Sequence, residues 1–315
     1  MRALATLRNR IRTSTTGLFS HVAYPLRNTL HYPGDPGVCG PGSVSWPILG
    51  DTAAFVGGIR ALLMQSAHPE VVAGVADHST FQEDPLGRLS RTSAYVTATT
   101  FGALPEVKAA IAVVRDAHAD VVGRSHRGRP YSASGPALSA WVHNVLTDSF
   151  LAAYSAYGPR SLVSGEDDRF VLEQAEIGRM LHSKPVPVDA RSLRSWIDEH
   201  PDLDPSPGMR STVEFLKDPP LAPFQKVGYR LLYAGAVAIV PVRIRHILGL
   251  RRVPGARRAC LAAISFLRWA MGSSPSWRLA LIRTGNPVPS GLFLPPLPQN
   301  VGSVPRESGY RNDCA

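Results

Sequence analysis

The chain has 315 residues, 44% of them hydrophobic, which is enough to bury one large core with tails beside it. Its 34 basic and 24 acidic residues leave a net charge of +10, carried almost wholly by arginine, since Lys108, Lys184, Lys217 and Lys226 are the only lysines. No aromatic residues are interleaved with those arginines, which speaks against a nucleic-acid stacking platform, and Cys39, Cys260 and Cys314 are too scattered for a disulfide framework or a cysteine metal site.

Residues 1–44 read as a basic arm. Arg2, Arg8, Arg10 and Arg12 accompany Leu4, Leu7 and Ile11 on a short amphipathic segment, which suits either a frayed basic tail or a helix lying on anionic lipid. No apolar run with a small-residue cleavage site follows Arg12, so no secretory leader is expected. The stretch Pro33 to Pro47, dense in proline and glycine, reads as a loop. A helical pattern begins at Asp51 and runs to His68-Pro69, where proline ends that helix or opens the next.

Asp84 and Pro85 predict a helix start, with the helix continuing to Phe101. Pro105 opens another that holds to Gly123, and a loop of arginine, glycine and proline follows from Arg124 to Pro130. Pro136 begins a third, ending at Gly158, and Glu166 to Leu181 a fourth with acidic residues in its first turn. Further helices are expected at Asp189–Glu199, Met209–Lys217, Pro223–Leu248 with a kink at Pro241, and Gly255–Arg283. The longest apolar stretch, Leu231 to Val240, falls short of the roughly 20 residues a membrane-crossing helix requires. Strand-like alternation is almost absent, so the predicted fold is all-α: one multi-helix domain over 45–285 between the irregular arm and a proline-rich extended tail, 286–315. A cytoplasmic protein, at most peripheral to a membrane, fits this pattern.

The helix from Pro105 places Ile111, Val114, His118, Val121 and Val122 on one stripe, with a histidine in the middle of an apolar face. Such an imidazole is either a core histidine bonded to a neighbour or an axial ligand to haem iron, which takes a neutral nitrogen facing an apolar slot. His143 on the following helix has Leu146, Thr147, Phe150 and Tyr154 on its side and either faces the same cavity or packs one layer away. Arg88, Thr92 and Tyr95 share a helical face, where a guanidinium and a hydroxyl could bind a propionate or an oxygen ligand, or lie solvated. His68 and His78 lack a supporting Glu-x-x-His pattern and read as capping or turn residues. No dinucleotide loop, phosphate loop or Gly-x-Ser-x-Gly elbow is present in the sequence.

Several blocks in order resemble the superfamily of latex-clearing proteins and MpaB-like oxygenases. They are Arg60-Ala61-Leu62-Leu63-Met64-Gln65-Ser66-Ala67-His68-Pro69, Gly74 to Ser79, Asp84 to Thr92, Arg115 to His118, Trp141-Val142-His143, Tyr154 to Gly158, and Val240 to Arg243 before Leu248-Gly249-Leu250. The resemblance implies a helical protein holding one non-covalent b-type haem and an oxygenase activity on an apolar small molecule, isoprenoid or aromatic, with dioxygen or a peroxide as co-substrate. It implies His118 as the iron ligand, Arg88 and Thr92 beside the haem, and His143 as a further histidine of the site; Arg91, next to Thr92, is a candidate second donor. A haem-binding or haem-sensing protein without turnover would share the same pocket.

Two departures stand out. Where latex-clearing proteins have a lysine that can cap the iron, this chain has Arg91, whose guanidinium stays protonated and makes a poor iron ligand. The glutamate proposed as a base in those relatives has no clear counterpart, Glu70 and Asp77 being the nearest carboxylates, and the arginine usual four residues after the ligand histidine is replaced by Val122.

Overall fold

The structure is a computed structural model that describes residues 2–19, 21–79 and 84–294. Fourteen α-helices, one 3-10 turn at Thr29–His31 and one short hairpin make up its regular elements among these residues. The fold is all-α, as the sequence predicts.

Proline placement explains much of the segmentation. Proline at a first helical position sacrifices only an N–H that has no partner there anyway, and it opens α4 (Pro69–His78), α5 (Pro85–Phe101), α7 (Pro136–Tyr157), α10 (Pro207–Lys217), α11 (Pro223–Ala238) and α14 (Pro275–Arg283). The remaining helices are α1 (Arg2–Gly17), α2 (Ser45–Gly50), α3 (Ala54–Gln65), α6 (Leu104–His118), α8 (Glu166–Met180), α9 (Ala190–Asp198), α12 (Val242–Ile247) and α13 (Ala256–Met271).

The core is built around α7, apolar enough on every side to be buried throughout much of its length. Helix α3 lies along it, and α11 packs on α3 and α13, while α8 and α9 cover another flank of α7. Close approach of α3 to α7 requires Gly57, because a Cβ there would fall 2.6 Å from the Phe150 ring and 3.1 Å from its Cα. Across the same contact the Arg60 guanidinium meets Asp148 at 2.7 Å, both side chains nearly inaccessible to water.

Four expectations need correction. Helix α6 stops at His118 rather than Gly123, because the β-branched Val121 and Val122 lead into an antiparallel hairpin. There β1 (Val122–Arg124) pairs with β2 (Pro130–Ser132), with Gly123 opposite Tyr131. The stretch predicted as Pro223–Leu248 is two helices, since Pro241 has no N–H to continue α11 and its carbonyl instead begins α12 by accepting from Arg245 N at 2.9 Å. The stretch Gly255–Arg283 likewise breaks at Gly272, whose positive φ of 67° turns the chain before Ser274 caps α14. The Pro33–Pro47 loop ends in the unpredicted short helix α2, bound through the Ser45 N–H and hydroxyl to Glu173 at 2.9 and 2.8 Å.

The arm is neither frayed nor free. Arg8 on α1 stands 5.1 Å over the Trp269 ring and donates to its backbone oxygen at 2.9 Å, and Gln225 reaches Ser14. Leu4 and Leu7 stay exposed on the outer side of α1. Among the described residues no helix is long and apolar enough to cross a membrane. The start of the predicted tail folds back, with Leu292 accepting from Ser273 N at 2.9 Å and Phe293 packed edge-on against Trp277. Its continuation from Pro295, with Cys314, lies outside the described residues.

Candidate functional site

Helices α5 and α6 carry most of the residues in question. Asp84 caps α5 by accepting the Gly87 N–H at 2.9 Å, which fixes the first turn and hence the phase of the face that follows. On that face Arg88 and Tyr95 are half-buried and Thr92 is exposed. Arg91 points away to an exposed ion pair with Asp84 at 3.4 Å. Arg88 donates to Ser79 Oγ at 3.1 Å, and burial followed by the nearby Arg91 charge lowers its pKa.

His118 is the last residue of α6, so it closes the apolar stripe of Val107, Ile111 and Val114 rather than standing in its middle. The residue is exposed to water, yet desolvation and then the charge of Arg88 lower its pKa, which favours the neutral imidazole. Arg88 and His118 belong to the α5–α6 pair, which packs together along its length.

Two turns further along α5, about 10 Å by helical rise, the inner end of this face meets α7 and α8. Tyr95, Thr99, Thr100, His143, Leu146 and Gln174 line a small cavity there, with room for little more than water. The Tyr95 hydroxyl, Thr100 Oγ1 and His143 Nε2 are buried with no hydrogen-bond partner in the structure. Gly178 of α8 leaves space for the His143 ring, since a Cβ there would stand 2.8 Å from its Nε2. His143 therefore sits in a closed, water-sized cavity lined from α5, α7 and α8, while His118 is exposed at the end of α6.

Burial lowers the His143 pKa to about 4, against a smaller upward effect from the Gln174 backbone. The sign of the consequence follows from linkage. A histidine whose folded pKa is depressed lends stability above its unfolded pKa of about 6.5, and loses it as pH falls toward 4. Thermal melts from pH 7 to 4 should thus show the parent losing on the order of 3 kcal/mol more than His143→Leu; parallel curves would mean that the ring is solvated.

The two carboxylates nearest in sequence are otherwise engaged. Glu70 is buried, and burial alone would raise its pKa, but hydrogen bonds from Arg127 and Ser125 outweigh this and hold it at about 2. Asp77 accepts the Tyr131 hydroxyl at 2.5 Å. His78 faces the Val122 carbonyl oxygen at 3.0 Å, the turn role expected of it. His68 departs from expectation: it precedes α4 without a side-chain cap bond, and is packed against Trp141 and His200. Thr99, Gln174 and Gly178 were not singled out by sequence reasoning, and only their place on helices flanking His143 could have suggested them.

Residues 46–271 match the family described as ER-bound oxygenase mpaB/B'/Rubber oxygenase, catalytic domain. That span runs from α2 to the end of α13 and contains every candidate residue above. No curated protein and no solved structure gives a match. A match over well above half of the chain, on an all-helical fold, places this protein in the mpaB and rubber oxygenase catalytic-domain family.

Proposed function

We propose that the protein is a haem b-dependent oxygenase acting on an apolar small molecule of isoprenoid or aromatic type, with His118 as the iron ligand. The observation that carries this reading is the match of residues 46–271 to the oxygenase catalytic-domain family, with the exposed imidazole of His118 at the end of α6 as the available ligand. The donor set fits the group. Iron takes a neutral imidazole, which desolvation and the Arg88 charge both favour, and a haem propionate takes a guanidinium such as Arg88. The water-sized cavity at His143 does not fit a macrocycle, so ligation at His118 is favoured over His143.

Haem, when bound, supplies the dioxygen chemistry. The chain's contributions are positional. His118 would hold the iron, with Arg88 pairing a propionate or donating to an oxygen ligand and Thr92 placing a hydroxyl one turn along the same face. Tyr95 and His143 offer unpaired polar atoms at the inner end, suited to holding water or passing a proton. The buried stripe of α6, Val107 and Ile111, would hold in place the helix that carries His118. Arg91, paired with Asp84, serves only if that exposed pair opens.

Haem titration of the purified protein, followed by dioxygen uptake with a polyisoprene oligomer and with alkylated aromatics, tests the proposal. Stoichiometric haem binding with substrate-dependent uptake supports it. Binding without uptake on any of these supports a sensing role instead, and absence of binding overturns both.

A further inference from the structure

On the far side of α7 from His143, a second group of ligand-type side chains comes together from three parts of the chain. His68 stands at the α3–α4 junction, His200 just past the end of α9, and Asp202 in the loop before α10. One potential ligand atom from each lies within 4.8 Å of the others. We propose that His68, His200 and Asp202 form a binding site for a divalent first-row transition-metal ion, separate from His118 and independent of the haem reading.

The ligand chemistry is that of two imidazoles and one carboxylate, which suits zinc or iron(II) and leaves coordination positions open to water or a small ligand. Bonds of 2.0–2.2 Å put donor atoms on one tetrahedral ion roughly 3.3 Å apart. The observed spacing is thus wider than needed by about a bond length, a gap that rotation of the half-buried His200 and Asp202 side chains can close. His200 Nδ1 already turns its lone pair toward that loop, accepting the Asp202 N–H in a long bond of 3.3 Å that an ion would replace.

A second observation points to a ligand. His68 is almost fully buried, and its Nδ1 has no hydrogen-bond partner, although Glu70 Oε2 stands 3.4 Å away. A buried nitrogen without a partner is costly. Metal binding through the other ring nitrogen would fix the proton on Nδ1 and draw it into a bond with Glu70, the carboxylate–histidine–metal arrangement that orients metal-bound imidazoles. Glu70 is itself held by Arg127 and Ser125, so it is placed to orient rather than to ligate. The loop is anchored too: Asp204 N donates to the Ala67 carbonyl at 3.1 Å, and Arg243 donates to the His200 carbonyl at 2.9 Å. Two cations compete for Asp202: Arg129, paired with it at 2.5 Å but more than half exposed and able to swing into water, and Arg127, 3.9 Å from the same oxygen but tied more closely to Glu70.

The surroundings supply a built-in reporter. The His200 ring lies 4.7 Å from Trp141 and 4.8 Å from Trp196, centre to centre. Cobalt(II) titrated into chelator-treated, untagged full-length protein should bind with one-to-one stoichiometry, produce visible ligand-field absorption and quench tryptophan fluorescence, with zinc(II) displacing it. His200→Ala and Asp202→Asn, both at half-exposed positions that folding tolerates, should each weaken binding by about tenfold or more. Circular dichroism confirms that each variant is folded. Failure of either ion to saturate a site below on the order of 100 μM, or variants that titrate like the parent, overturns the proposal. The haem titration is unaffected by either result, so the two readings fail separately.

Discussion

His118→Ala is expected to abolish haem binding: the Soret band obtained by reconstituting the parent disappears, and substrate-dependent dioxygen uptake falls to background. The expectation follows from position. His118 ends α6 at an exposed site, so removing its imidazole leaves the packing of Val107 and Ile111 intact and the melting temperature nearly unchanged. His143→Leu should behave in the opposite way, keeping the band while altering stability and its pH dependence, because that ring is buried in a water-sized cavity. A Soret band that survives at His118→Ala and is lost at His143→Leu would reverse the assignment. The ferric parent should also lack the spectrum of two strong nitrogen ligands, since Arg91 stands where a capping lysine would be and is turned to Asp84.

Local signals made much of this molecule legible in its sequence. Pro85 behind the Asp84 cap, Pro136 and the stop at Gly158 are chemical punctuation, and the helices they delimit match expectation to within a residue or so. The errors arose where local propensity competes with pairing. Val121 and Val122 fit the apolar stripe of α6 by count, but in the hairpin Val122 pairs with Ser132 and the Val121 carbonyl accepts from Ala133 N, so the helix ends at His118. That shift changes the setting, because a histidine at a helix end is open to water whereas one in the middle of an apolar face packs in a core. The face of Arg88, Thr92 and Tyr95 was readable from four-residue spacing, but the meeting of Tyr95 with His143 in one small cavity depends on where α8 lies. The group of His68, His200 and Asp202 was beyond sequence reasoning altogether. More than 130 positions separate His68 from His200 and Asp202, and the nearest histidine in sequence, His78, turns to the β1 carbonyl.

The largest stability effect is expected at the ion pair that joins α3 to α7. Arg60 is within the first block of the family resemblance, yet its role is structural: the guanidinium meets Asp148 at 2.7 Å, Ser149 Oγ at 2.8 Å and the Ile239 carbonyl at 3.1 Å, all but cut off from water. Asp148→Ala strands a charge that cannot deprotonate, and should cost about 3–5 kcal/mol in denaturant unfolding, a large share of the roughly 5–15 kcal/mol that typically holds a domain folded. The pair itself contributes far less than this, because both groups had to be stripped of water to form it. The double change Arg60→Met with Asp148→Leu should therefore recover most of the loss, leaving Ser149 and the Ile239 carbonyl as the main unmet partners. Unfolding midpoints and slopes for the parent, the single variant and the double variant measure this directly. If the double variant is as unstable as Asp148→Ala, the pair is itself a net source of stability, and what ties α3 to α7 at this point is its charge attraction rather than the burial of Gly57 against Phe150 beside it.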